Sequence, residues 1–243
     1  MRAAALVLLG ACSFSAKPGD LGAPDAGGLT GGGPDGGTSL FVGCHISSTS
    51  LRLCLDFEDA ALAPTVKDGS SFQHDATTAN LVPMTRAGEQ AAMFSSASTA
   101  TIPATPDFAV PQVSLEAWIK PDNIYTTSWA LLDAQHYGIG VGGGNIVCAI
   151  GDKVASVSAA AYASQWVHVA CTNNDMHLTL YINGDAVACS DGAKPTRGTN
   201  ALGIGVGLSG GIDNVRLFAA VLSPADVCAH AGRTGCALGC AMD

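Results

Sequence analysis

From Leu40 onward the chain alternates short apolar stretches with Gly, Asn, Asp and Pro, and inside the stretches apolar and polar side chains alternate at every second position. A period of two is the pattern of half-buried β-strands. In VSLEAWIKP, Val113, Leu115, Ala117 and Ile119 fall on one face and Ser114, Glu116 and Trp118 on the other, so one face is expected to meet a core. The run WVHVACTNNDMHLTLYINGDAVAC predicts three strands over 166–172, 177–182 and 185–189. Asn183-Gly184 tolerates positive φ at both centres of a tight hairpin, and Asn173-Asn174-Asp175 makes a slightly longer reversal, so these strands are expected to be antiparallel neighbours. Ser223-Pro224-Ala225-Asp226 sets an N-cap before a proline at the first helical position and predicts one short C-terminal helix. With roughly a dozen strands, hardly any helix and no internal repeat, the economical all-β architecture is two packed antiparallel sheets.

Composition agrees with that pattern and narrows the partners. A chain of 243 residues with 48% hydrophobic content can bury one substantial core. Only 13% of residues are charged, 30 are Gly, and the three Glu are Glu58, Glu89 and Glu116, which is poor material for long surface helices. The net charge of -9 comes without any basic run, so nucleic acid is not an expected partner. Residues 13–38, SFSAKPGDLGAPDAGGLTGGGPDGGT, have almost no large apolar side chains and read as a flexible tether. Their typical reach is about 25–30 Å.

The opening MRAAALVLLGAC has one Arg, an apolar run and small residues before Cys12. It resembles a bacterial lipoprotein signal, shorter than usual in its charged and apolar regions. That resemblance implies cleavage after residue 11, an acylated Cys12 and a lipid anchor as the sole attachment to a membrane. Ser13 resembles the sorting signal of outer-membrane lipoproteins, so the expected location is the cell envelope, with secretion as the alternative. The expected layout is a signal peptide over 1–11, an acylated tether over 12–38, one domain over 39–230 and a cysteine-containing tail over 231–243. In an exported chain the remaining eight cysteines read as disulfides, with 105 connectivities for four bonds. Cys44 and Cys54 are near enough to close a small loop. Cys148, Cys171 and Cys189 lie on predicted strands of one region, and Cys228, Cys236 and Cys240 would staple the tail. No CxxC pair favours a metal site.

Four segments in order, LCLDFED, VSLEAWIKPD, WVHVACT with LYINGDAVA, and GGIDNVRLFAAVLSPADV, resemble the laminin-G-like jelly rolls of the concanavalin A-like lectin/glucanase superfamily over about residues 50–230. The resemblance implies a two-sheet jelly-roll sandwich whose first and last strands are neighbours. It also implies a structural calcium at that junction, held by Glu58 or Asp59 together with Asp213 and loop carbonyls. In the alternative reading Asp213 merely ends a strand, and Glu58 and Asp59 are turn residues or partners of Arg216.

Catalytic signatures are missing from the sequence. A glycosidase on this fold needs a pair of carboxylates at matched spacing, and the only tightly spaced acids are Asp56, Glu58 and Asp59 at the junction itself. Glu116 stands alone on its strand and is expected to be a half-buried carboxylate with a hydrogen-bonding role, as His168 is expected to be a hydrogen-bonded structural histidine. The one G-x-S-x-G string, Gly207 to Gly211, lies in a glycine cluster that does not precede a helix and so reads as strand ends and bulges, not as a nucleophile elbow, and there is no HExxH. The reading is therefore a non-catalytic, monomeric binding module for a glycan or a surface protein, with Tyr125, Trp129, His136, Tyr137 and Tyr162 as the candidate ligand-binding residues. Trp129 and Tyr137 read alternatively as core. The alternative functions are a structural or scaffold lipoprotein without a small ligand or, more remotely, a glycoside hydrolase.

Overall fold

The computed structural model describes residues 43–44, 48–134, 136–194 and 200–239. The expected signal peptide, acylated Cys12 and tether lie outside the described residues, as does Cys240. Along the first half run β1 (Leu51–Leu55), β2 (Thr65–Val66), β3 (Ala76–Ala79), β4 (Val82–Arg86), β5 (Glu89–Phe94), β6 (Thr99–Ile102) and β7 (Val113–Pro121). There follow β8 (Ser128–Asp133), β9 (Tyr137–Gly142), β10 (Asn145–Ile150) and β11 (Lys153–Ser158). The chain continues through β12 (Val167–Asn173), β13 (His177–Ile182), β14 (Asp185–Asp191), β15 (Leu202–Val206) and β16 (Gly210–Phe218) to the helix α1 (Pro224–His230).

Two eight-stranded antiparallel sheets result. The first has the order β14-β13-β12-β7-β16-β5-β4, with β1 paired to β16; the second has the order β11-β10-β9-β8-β15-β6-β3-β2. The period-two pattern decides which face of each strand is dry. Val113, Leu115, Ala117 and Ile119 of β7 are buried in the core between the sheets, where Val167 and Val169 of β12 and Ile212, Val215 and Leu217 of β16 join them. Each fully buried aliphatic side chain of this kind contributes about 1.5–3 kcal/mol. The predicted hairpin forms with positive φ at both Asn183 and Gly184, and β12, β13 and β14 are antiparallel neighbours. As expected from LCLDFED and GGIDNVRLF, β1 runs beside β16, with Leu55 opposite Val215 and Cys54 opposite Arg216.

Among the described residues three disulfide pairs are seen, Cys44–Cys54, Cys148–Cys171 and Cys228–Cys236. The second joins β10 to β12 and so ties one sheet to the other through the core. Cys189 is disulfide-bonded as well. Such bonds persist in oxidising compartments, which places the domain outside the reducing cytosol. The helix is capped as predicted, with Ser223 Oγ accepting from the Asp226 N–H and the Asp226 carboxylate accepting from the Ser223 N–H. The segment after it belongs to the domain. Ala237 donates its N–H to Asp185, Arg233 pairs with the same carboxylate at 2.6 Å, and the Cys236 sulfur sits where a Cβ on Gly184 would be 2.7 Å away.

Asp68 is a buried staple. One of its oxygens accepts from the N–H groups of Cys54 and Ser70, the other from Ser70 Oγ and the His74 N–H. Asp68→Ala leaves these donors dry and is expected to lower stability by about 1–3 kcal/mol, read from the midpoint of urea unfolding. A cost within experimental error would mean that the loop after β1 rearranges freely.

Candidate functional site

The face of the first sheet that turns away from the core carries a cluster of buried charges. Ser114, Glu116, Trp118 and Lys120 point outward from β7, and His168 and Ala170 from β12. On β16 a bulge between Asp213 and Arg216, with Asn214 at φ 48°, brings both of these residues to the outer face although they are three positions apart. Helix α1 covers part of this surface, with Val227 packed on Ala170 and Tyr181. Beneath it Glu116 has no exposed surface and accepts from His230 Nδ1 at 2.9 Å and from Arg216 Nη1 at 3.4 Å. The same guanidinium donates to Asn214 Oδ1 at 3.2 Å. Burial pushes the Glu116 carboxyl up, but His230, His168 and Arg216 together outweigh it, and the net displacement is downward. The expected half-buried carboxylate is in fact fully enclosed, because the helix closes over it.

Toward the open end of the same face, Arg86 Nε donates to Asp213 Oδ2 at 2.6 Å, both residues being buried, and the guanidinium lies 4.5 Å from the centre of the Trp118 ring. The His168 ring stands 5.3 Å from Trp118. His168 was expected to be hydrogen-bonded; instead neither ring nitrogen has a partner, and burial brings its pKa down to about 4. Beyond Trp118 the surface becomes apolar. A Cβ on Gly211 would lie 2.6 Å from the Trp166 indole and 2.8 Å from Met84 Sδ, so the absent side chain is the room in which those two meet. Met93 and Val82, on the neighbouring strands, are 42% and 55% exposed. Trp118 and Trp166 were not among the predicted ligand residues. Their outward phase on strands with a buried opposite face was the signal that could have found them.

A second feature lies at the end of β7. Asp122, Asn123, Ile124 and Tyr125, with Ala160 and Ala163, line a cavity of about 460 Å³. The loop is rigidly built: Asn123 Oδ1 accepts from the N–H groups of Tyr125 and Thr126, while Gly143 and Gly144 donate to the carbonyls of Tyr125 and Ile124. Tyr125 is 75% exposed, and its ring passes over Gly144. A smaller cavity of about 360 Å³ opens among Thr172, His177, Thr179, Tyr181, Leu222 and Leu238.

The five predicted ligand residues are not brought together. Tyr125 faces the first cavity, and Tyr162 closes the short 3-10 turn that supplies Ala160 but is itself partly buried against the core. Trp129 is half-buried on the outer face of the second sheet, against Gly138. His136 and Tyr137 are corrections to the expectation. His136 is buried with Nδ1 2.7 Å from Asp133, and Tyr137 is buried in the core with its hydroxyl donating to the Phe108 carbonyl. Neither presents a surface to a ligand. Burial, with the Asp133 charge beside it, also lifts the Tyr137 hydroxyl well above its ordinary range.

The residues of the expected calcium junction do gather at one place. Burial, and after it the charges of Glu89 and Asp213, raise the Glu58 carboxyl above the ordinary value. Their oxygens, however, do not form a calcium donor set. Asp213 is taken by Arg86 and by the Asn214 N–H, Asp59 accepts from the Lys67 N–H, and Gln90 Nε2 donates to the carbonyls of Phe57 and Asp59. Among the described residues no group of three or more His, Cys, Asp or Glu is arranged to hold a metal. Arg216 pairs with Glu116.

Domain 4 of AbnA, a GH43 extracellular arabinanase from Geobacillus stearothermophilus solved in complex with arabinotriose, superposes with a TM-score of 0.59 at 18% identity, over 75% of this chain and 98% of that domain. The binding domain of botulinum neurotoxin DC in complex with SialylT gives 0.58 at 14% identity, over 75% of this chain and 51% of that one. The same toxin domain in complex with rat synaptotagmin II gives 0.58 at 15% identity, with 75% and 51% covered, so this chain spans about half of the toxin domains. No curated protein matches the chain in sequence. Residues 94–228 match the laminin-G model of this fold, and the chain accordingly belongs to the concanavalin A-like lectin/glucanase superfamily.

Proposed function

We propose that the protein is an extracytoplasmic, non-catalytic glycan-binding module, and that its ligand enters the cavity beside Tyr125. The observation that carries this reading is an aromatic ring 75% exposed at a preformed cavity of about 460 Å³, next to the carboxylate of Asp122 and the amide of Asn123. An exposed ring offers a face to the C–H groups of a sugar, the flanking polar groups suit its hydroxyls, and Ala160 and Ala163 leave room. Structures of the same fold in complex with arabinotriose and SialylT support the ligand class. A lipid anchor at Cys12 completes the reading, with the module held at the cell envelope.

A protein partner is the second reading, favoured by the apolar surface around Trp166, Met84, Met93 and Val82 on the first sheet. One experiment separates the two. The oxidised chain is screened on a glycan array, and the best ligand is titrated against wild type, Tyr125→Ala, Tyr125→Phe and Trp166→Ala. Tyr125→Ala is expected to weaken binding about tenfold while Tyr125→Phe and Trp166→Ala bind as wild type. Loss on Trp166→Ala alone would move the site to the sheet face. An array without any binding would sink the glycan reading in favour of the protein partner.

A further inference from the structure

The place where β1 joins β16 gathers carboxylates, since Glu58 feels the charges of Glu89 and Asp213 and Asp213 feels that of Glu89. Such a place needs a cation. We infer that Arg86, together with Gln90, occupies the position a calcium would hold at this junction, so that the domain is closed by a cation of its own chain and is independent of metal.

Both donors come from one hairpin. β4 and β5 turn through Ala87 and Gly88, each at positive φ, which sets Arg86 opposite Glu89 and Thr85 opposite Gln90. From there Arg86 Nε donates to Asp213 Oδ2 at 2.6 Å and Nη2 approaches Glu89 Oε2 to 3.7 Å, while Gln90 Nε2 donates to the Phe57 carbonyl at 2.6 Å and the Asp59 carbonyl at 2.8 Å. Carboxylates and loop carbonyls are the ligands calcium uses, six to eight at a time. Here the same oxygens face nitrogen donors. The planar guanidinium is a permanent charge matched to carboxylates, and its stacking on Trp118 at 4.5 Å and its burial hold it in place. A calcium ion could enter only by displacing a buried ion pair. This inference does not depend on what the Tyr125 cavity binds.

Thermal unfolding of the oxidised chain in millimolar calcium and in chelator provides the first test, and terbium titration the second, because Trp118 beside Arg86 would sensitise emission from a lanthanide bound there. The wild-type midpoint is expected to move by less than about 1 °C between the two conditions, and sensitised emission is expected to be absent. In Arg86→Gln the carboxylates lose their cation, and calcium is expected to raise the midpoint by about 5 °C or more, with terbium emission appearing on binding. An Arg86→Gln chain that folds only with calcium supports the inference equally. Calcium stabilisation or sensitised emission in the wild type overturns it, as does a folded Arg86→Gln that ignores both ions. Should Arg86→Gln fold under neither condition, the two wild-type measurements decide.

Discussion

Replacement of Glu116 by alanine is expected to cost about 3–5 kcal/mol, because it strips the counter-charge from a guanidinium that has nowhere to go. Arg216 and Glu116 are both buried, and His230 donates to the same carboxylate from the helix that roofs them. Removing the carboxylate leaves Arg216 charged in a low-dielectric pocket and unfastens His230, and with it the grip of α1 on the sheet. Two further variants sort the contributions. Glu116→Gln keeps the volume and an acceptor, so a smaller loss is expected than for alanine. A Glu116→Leu, Arg216→Met double variant removes both charges, and since apolar replacements of buried pairs are often neutral or stabilising, it is expected to recover most of the loss. Denaturant unfolding monitored by tryptophan fluorescence measures all three. A Glu116→Ala chain within 1 kcal/mol of wild type would show that water reaches this pocket and solvates Arg216.

The second large effect is on acid stability and comes from His168. Its folded pKa of about 4 lies below the ordinary imidazole value of 6.5, and burial is the main cause, the Glu116 charge opposing it and the Arg216, His230 and Arg86 charges adding to it. As pH falls the unfolded chain therefore takes the proton first. The contribution is fully present above about pH 6.5 and is lost progressively down to pH 4, on the order of 3 kcal/mol in all. The Glu116 carboxyl, held low, extends the loss to still lower pH. Asp213, lifted by burial against the pull of Arg86, works the other way, so the imidazole is isolated by comparison with His168→Leu. Because neither ring nitrogen is hydrogen-bonded, that variant is expected to be at least as stable as wild type at pH 7 and to lose less stability between pH 6.5 and 4. Parallel pH profiles for the two chains would mean that His168 is solvated in the folded state.

Much of the scaffold was legible before any coordinates. The alternation in VSLEAWIKP assigned Val113, Leu115, Ala117 and Ile119 to the core, Asn183-Gly184 marked a hairpin with two positive φ angles, and Ser223-Pro224 marked the start of the helix. The candidate site was less legible. Residue type points to Tyr125 together with His136 and Tyr137, and type alone does not separate a ring at a cavity from one inside the sandwich. Trp118 and Trp166 carry the same residue type, but no local signal places Trp166 over the sheet, because what brings it there is a glycine 45 positions away, Gly211, on another strand.

The sequence by itself determined the class of the fold, the faces of its strands, its tight turns and its helix cap, because each of these follows from the preferences of residues within a few positions of one another. Tertiary structure alone decided the partners. Glu116 meets Arg216 and His230 at separations of 100 and 114 residues, and Arg86 meets Asp213 at 127. Which charge finds which depends on the strand order β12-β7-β16-β5-β4 and on the one-residue bulge that turns Asp213 and Arg216 to the same face. A period of two does not encode order or register across the sheet. These arise only when the whole core closes, and with them came the junction served by Arg86 and the exposure of Tyr125.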